Sequence, residues 1–280
     1  QTGADLRGDR SLINSYEYGV TFDLTYPRMI LGRMGKRFSR RANSSTQFQL
    51  NAKWMNRANY FGRVSLGARV NYSYQKKRNV KHNFTPLRLD YELQLHTTHT
   101  FDSIMNANQA LYVSMRNQFV PSMEYTYNWM STRHAPRTVT LTLKEAGNLT
   151  SMIYRIAGEP FDRRNKQLFN VPFAQYMKAT AQYTHLFRLT KRSGIATRIF
   201  GGAVLSYGNA SIAPYNDLFT IGGANSIRAF AVRSIGPGAY HPGASAYSYI
   251  DQMGDLKIEA NVEYRFPIAG NLYGAAFLDA

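Results

Sequence analysis

The chain has 280 residues, with 34 Lys plus Arg against 17 Asp plus Glu, a formal charge of +17, and no cysteine. The lack of thiols excludes a disulfide framework, a thiolate metal site and a cysteine nucleophile, and a hydrophobic content of 44% separates the chain from disordered sequences. A membrane-crossing helix needs about 20 mostly apolar residues, and no apolar run here approaches that length. The opening "QTGADLRGDR" is polar and lacks the apolar core of a signal peptide, so the chain is expected to be a fragment, or the ordered part, of something longer.

In chain order, the first signal is strict alternation. Tyr16, Tyr18, Val20, Phe22, Leu24 and Tyr26 are separated by Glu17, Gly19, Thr21, Asp23 and Thr25. That is the period of a strand with one apolar and one polar face. The same pattern runs from Thr46 to Trp54, from Arg63 to Tyr74, from Leu87 to Leu95, from Met123 to Trp129 and from Leu256 to Phe266. Less regular strands are predicted at 137–156, 173–187, 194–207 and 271–279. The "EAGN" at 145–148 leaves open whether 137–156 is one strand or two. A short helix is expected near 103–116.

The predicted fold class is all-β, with about ten or eleven strands. Strands of soluble sandwiches average about 5–6 residues; these run to about 10–14, close to the ~9–11 tilted residues that cross a bilayer. The apolar face is nearly free of charge, and aromatic residues gather at strand ends (Tyr16, Tyr26, Tyr72, Tyr74, Tyr125, Tyr264, Phe266), as in interfacial girdles. A transmembrane antiparallel β-barrel is the expected architecture, with a lipocalin-like or sandwich protein as the soluble rival.

Basic clusters lie at 33–41, 75–81, 162–166 and 190–193. They fit hairpin ends that meet lipid phosphates better than a nucleic-acid surface, because the aromatics occupy the face opposite the strand charges. No nucleic-acid partner and no cofactor are expected. His96 and His99 would point to opposite faces of a strand, so a metal pair is not expected there. Ser226 has neither a nucleophile elbow around it nor a nearby histidine in sequence.

Residues 208–254 break the alternation. Within them "FTIGGANSIRAFAVRSIGPGAY" (219–240) is Gly-rich and too apolar for a flexible polar loop, which predicts a segment folded back into the lumen. Here the chain resembles the outer-membrane assembly barrels of the BamA/TamA superfamily, and within it the TamA-like lipoproteins of Bacteroidetes (TamL). The likeness rests on Gly222, Gly223, Asn225, Ile227, Phe230, Arg233, Gly236 and Pro237 of the loop, with softer support from "KEAGNL" (144–149), "HNFTPLRLDY" (82–91) and "NVEYRFPI" (261–268). Ala229 departs from the family's Gly; if that position needs φ > 0, Ala is strained there.

The resemblance implies a non-enzymatic outer-membrane factor with a barrel of about 16 strands. Of these, about ten or eleven would lie in 1–280, with 208–254 as the lumenal loop. The terminal strands and upstream POTRA repeats are expected outside this chain. Implied partners are outer-membrane lipid and lipopolysaccharide, client outer-membrane proteins and a TamB-like periplasmic protein. The resemblance also implies that the loop arginine, Arg228, meets wall acids at the positions of Glu263 and Asp279. Alternation independently directs Glu263 and Asp279 to the polar face. The rival functions are a passive porin or two-partner-secretion pore and, more remotely, a barrel-embedded enzyme.

Overall fold

The structure, a computed structural model, describes residues 15–30, 43–57, 61–107, 112, 115–131, 135–160, 166–168, 170–236, 238 and 252–280. The strands are β1 (Ser15–Tyr26), β2 (Asn43–Arg57), β3 (Phe61–Lys77), β4 (Val80–Thr97), β5 (Gln118–Ser131), β6 (Arg137–Ala146), β7 (Gln167–Leu168), β8 (Val171–Pro172), β9 (Tyr176–Arg188), β10 (Gly194–Ser206), β11 (Leu256–Ala269) and β12 (Leu272–Asp279). Ten of them form one antiparallel sheet in the order β1-β2-β3-β4-β5-β6-β9-β10-β11-β12, while β7 and β8 pair separately. Chain neighbours are sheet neighbours everywhere except at β6 and β9. The long connections 98–117, 147–175 and 207–255 leave one end of the sheet. The turns 78–79, 132–136, 189–193 and 270–271 close the other.

Register keeps the two faces separate. Val20 pairs with Ala52 and Phe22 with Leu50, Leu50 continues to Ala68, and at the far side Val262 pairs with Leu278. The apolar rows end on a bare surface, with Val20 and Ile258 each 74% exposed. A soluble sandwich would bury these rows as its core. In this sheet the covered face is the polar one. Across it, hydroxyls and amides link the middle strands, as in Thr126–Thr142 at 3.2 Å, Thr140 to Asn128 at 3.1 Å and Thr138–Thr184 at 2.5 Å. The buried apolar clusters join connecting segments to residues of the strand ends and polar face. Phe61, Phe101, Met105, Met115 and Tyr215 form one; Val120, Ala146, Ala174, Tyr176, Val204, Ala213 and Phe219 form the other.

Two elements differ from the sequence expectation. The 137–156 segment is one strand followed by a helix, Asn148–Ile156, because Gly147 turns the chain with φ 74. The helix expected near 103–116 is observed at His99–Ala107, and most of 108–114 lies outside the described residues. So do the basic cluster at 33–41 and residues 162–165.

Candidate functional site

The loop after β10 crosses the polar face and bonds to strand after strand. At its entry, Asn209 donates to the carbonyls of Lys166 (2.8 Å) and Phe173 (2.9 Å). Tyr215 packs into the cluster beside Phe61 and Phe101. Asn216 donates to Glu92 on β4 at 2.8 Å, a carboxylate also bound by Arg63 at 2.9 Å and Ser65 at 2.5 Å.

Asp217 is the first strong anchor. Lys144 donates to both its oxygens at 2.9 and 3.0 Å, and the Tyr176 hydroxyl donates at 2.5 Å. Lys178 donates to its backbone carbonyl at 2.7 Å and lies 3.7 Å from its carboxylate. Burial pushes the Asp217 carboxyl up, but Lys144, the Tyr176 hydroxyl and Lys178 outweigh it and hold the group below the usual carboxylate range. Phe219 then lies over Gly202 of β10, where a Cβ would come within 2.5 Å of its ring. Backbone bonds in both directions between Phe219 and Gly254, each 2.9 Å, draw the return limb alongside.

The tip begins at Gly222 and Gly223, whose φ values of 100 and 94 belong to glycine. The Gly223 amide donates to the Phe230 carbonyl and the Arg233 amide to the Ile221 carbonyl, both at 2.8 Å, closing a compact turn. Ser226 is buried and donates to Glu259, which also binds Arg198. Lys257 reaches Glu259 at 2.7 Å and the Ser226 oxygen at 3.3 Å. The Asn225 carbonyl accepts from Arg198 at 3.2 Å.

Arg228 meets both predicted acids. Its Nε and Nη2 donate to the two oxygens of Asp279 at 2.9 and 2.8 Å, its backbone amide adds a bond at 3.0 Å, and Nη1 binds Glu263. The guanidinium carbon lies 3.8 Å from the ring centre of Phe277. A planar fork matched to one carboxylate and braced by a second is an arrangement that arginine fits and lysine does not. The hydrogen bonds to Asp279 and then Glu263 raise the Arg228 pKa against the opposing effect of burial. Asn261 donates to Asp279 and to the Ser226 carbonyl, both at 2.9 Å, joining the tip to the Arg198–Glu259 pair.

Of the other motif residues, Ile227 is half-buried, Phe230 is exposed, Gly236 is half-buried, and Pro237 lies outside the described residues. Ala229 has φ 70, so the strain expected for a residue with a side chain at this position is present. Arg233 has φ 66 and lies over Tyr215, 4.6 Å from its ring centre. His96 packs against Gly62, and among the described residues no group of three or more His, Cys, Asp or Glu could hold a metal ion. Sequence reasoning missed Asp217, Glu92 and the Arg198–Glu259–Lys257 group. The only sequence signal for the last was the placement of Arg198, Lys257 and Glu259 on polar-face parity.

The profile of the Omp85 superfamily domain matches residues 30–280. The chain belongs to the Omp85 superfamily. Among solved structures this Omp85 chain is similar to the crystal structure of BamA from Haemophilus ducreyi lacking POTRA domains 1-3, with 16% sequence identity and a TM-score of 0.61. The match covers 94% of this chain and 49% of that one, so the chain spans about half the length of that structure. No curated protein matches the sequence. At this identity the likeness concerns the fold; in this chain eight strands of the ten-stranded sheet precede the loop and two follow it.

Proposed function

We propose that this Omp85 chain is part of a bacterial outer-membrane β-barrel that acts without enzymatic chemistry in inserting or assembling outer-membrane proteins. Translocation coupled to a TamB-like periplasmic partner is the narrower form of the same reading. The bare apolar face supports residence in lipid, where such a surface is stable without burial by protein. The observation that carries the functional reading is the loop. It is pinned across the polar face at Asp217, Ser226 and Arg228, and in a closed barrel it would fill the space that an open pore needs. Arg228, Glu263 and Asp279 act as a lock for the loop tip, and the motif around them shapes the turn that delivers Arg228. Ser226 is engaged by Glu259 and Lys257 as part of the same brace. In this reading a barrel with a weak seam offers unpaired strand edges to client proteins and locally thins the lipid. Client proteins and outer-membrane lipid, including lipopolysaccharide, are its partners.

A cavity of about 590 Å³ remains beside the tip, lined by Gln182, Thr184, Arg198, Arg228 and Arg265 among others. It is the feature that favours the alternative of a selective pore. Depletion of the full-length protein followed by quantitative proteomics of outer membranes separates the two. Loss of many unrelated barrels supports assembly. Unchanged barrels with loss of one solute's uptake, together with a large stable conductance in planar bilayers, would replace assembly with a pore.

A further inference from the structure

The connection between β6 and β9 carries a helix whose amphipathicity is reversed. In Asn148–Ile156, the residues Leu149, Met152, Ile153 and Ile156 stand at i, i+3, i+4 and i+7, which is one face of a helix. A globular protein turns such a stripe into its core. Here those four side chains are 51, 58, 66 and 79% exposed, while Thr150 and Ser151 on the opposite face are buried. The polar face is fastened. Ser151 donates to Gln175 at 3.0 Å, Asn148 donates to the Tyr207 hydroxyl at 2.7 Å, and the Tyr154 hydroxyl donates to the Gln167 carbonyl. Rolling the stripe inward would break all three bonds.

The helix also starts on the outer side of the sheet. Glu145 is paired with Met177 on the apolar-face parity of β6 and β9, and its carboxylate accepts the Asn148 amide at 3.3 Å. At the same end of the sheet, Leu143, Met177, Leu205 and Leu256 are exposed on that face. The stripe therefore continues the bare apolar surface beyond the strand ends. Arg155, also exposed, flanks it.

We infer that the helix Asn148–Ile156 lies in the membrane interface, with Leu149, Met152, Ile153 and Ile156 among the acyl chains and Arg155 at the lipid phosphates. The inference rests on the outer-membrane reading above and assigns a lipid contact to one connection outside the strands. Interfacial helices of this kind sit about 5–10 Å into the headgroup–acyl boundary, a depth that four apolar side chains and a flanking cation match.

The 280 residues contain no cysteine, so Ile153→Cys carrying a bimane label reports a single site within them. The experiment uses the full-length protein in phosphatidylcholine liposomes, with the unsubstituted protein as the labelling blank and Leu141→Cys as a reference on the outer strand face. Quenching comes from lipids bearing a nitroxide near the headgroup, from lipids bearing one deep in the chain, and from aqueous iodide. The expected result is that the deep nitroxide quenches Leu141→Cys, while the shallow nitroxide quenches Ile153→Cys more strongly than either the deep nitroxide or iodide does. If Leu141→Cys is quenched from the lipid and Ile153→Cys only by iodide, the interfacial helix is wrong and the stripe faces water or a protein partner. If neither label is quenched from the lipid, the membrane reading fails and the inference falls with it.

Discussion

Asp217 near the loop's entry and Arg228 at its tip are held by mirror-image chemistry. At the entry an anion of the loop sits among wall cations, Lys144 and Lys178, with the Tyr176 hydroxyl as a further donor. At the tip a cation of the loop sits between wall anions, Glu263 and Asp279. Sliding the loop so that either end met the other's partners would put like charges together, so the pair of anchors defines one placement across the polar face. The two differ in which charge is most deeply buried. At the entry it is the cation, with Lys144 6% and Asp217 14% exposed; at the tip it is the anion, with Asp279 4% and Arg228 23% exposed. They also differ in reserve partners: the tip acids keep Arg265 and Asn261 if Arg228 is lost, whereas among the described residues the entry lysines have only Asp217 between them.

The largest effect is expected from Asp217→Asn, which leaves two lysines facing each other on the wall with no carboxylate between them. Breaking a buried pair from one side costs about 3–5 kcal/mol, readable as a lower urea midpoint for loss of the heat-modifiable folded band. A loss under about 1 kcal/mol would place this anchor with solvated surface pairs. Acid gives a second readout of the entry. The Asp217 carboxyl is held below its ordinary 3.8 in the folded chain, so its contribution is fully present above that pH. It fades as pH falls through the lower folded value. Asp217→Asn should flatten the acid side of the stability profile, read as a smaller loss of urea midpoint on acidification than in the unsubstituted protein.

Next comes Arg228→Ala, expected to cost about 2–3 kcal/mol by the same assay. The cost is smaller because Arg265 already lies 2.6 Å from Glu263 and keeps that acid paired, and because Asn261 still donates to Asp279. A loop with unchanged protease resistance in this variant would remove the lock. Gly202→Ala presses a methyl into the Phe219 ring and should cost about 1–3 kcal/mol without touching either charge. The smallest effect has the opposite sign: Ala229→Gly relieves a positive φ and should stabilise by about 1 kcal/mol.

These expectations also mark what the sequence revealed. Period-two alternation located the strands because one face must be apolar and the other polar, and the same parity directed Glu263 and Asp279 toward Arg228. It failed at 147–156 for a physical reason. Leu149 and Ile153 keep the odd parity of Val139, Leu141 and Leu143, so a strand reading runs through Gly147, whose φ of 74 ends the strand. Asp217 was invisible for another reason: its partners lie 73 and 39 residues away, and although Lys144 opens the "KEAGNL" segment, nothing in that segment points to Asp217. A motif reveals the tip, but only the fold reveals the entry. Ser226 shows the same limit, since its partners Lys257 and Glu259 lie on β11, beyond the return limb of the loop.

The central claim is that the tip is held by the pairing of Arg228 with Asp279 and Glu263. It is tested most directly by proteinase K protection of the loop in Arg228→Glu and in Arg228→Glu combined with Asp279→Arg, both in the folded, membrane-inserted protein. The account predicts rapid cleavage within the loop in the single variant, where three acids meet, and substantial recovery of protection in the double variant. Wild-type protection in the single variant would show that the loop is held without this pairing.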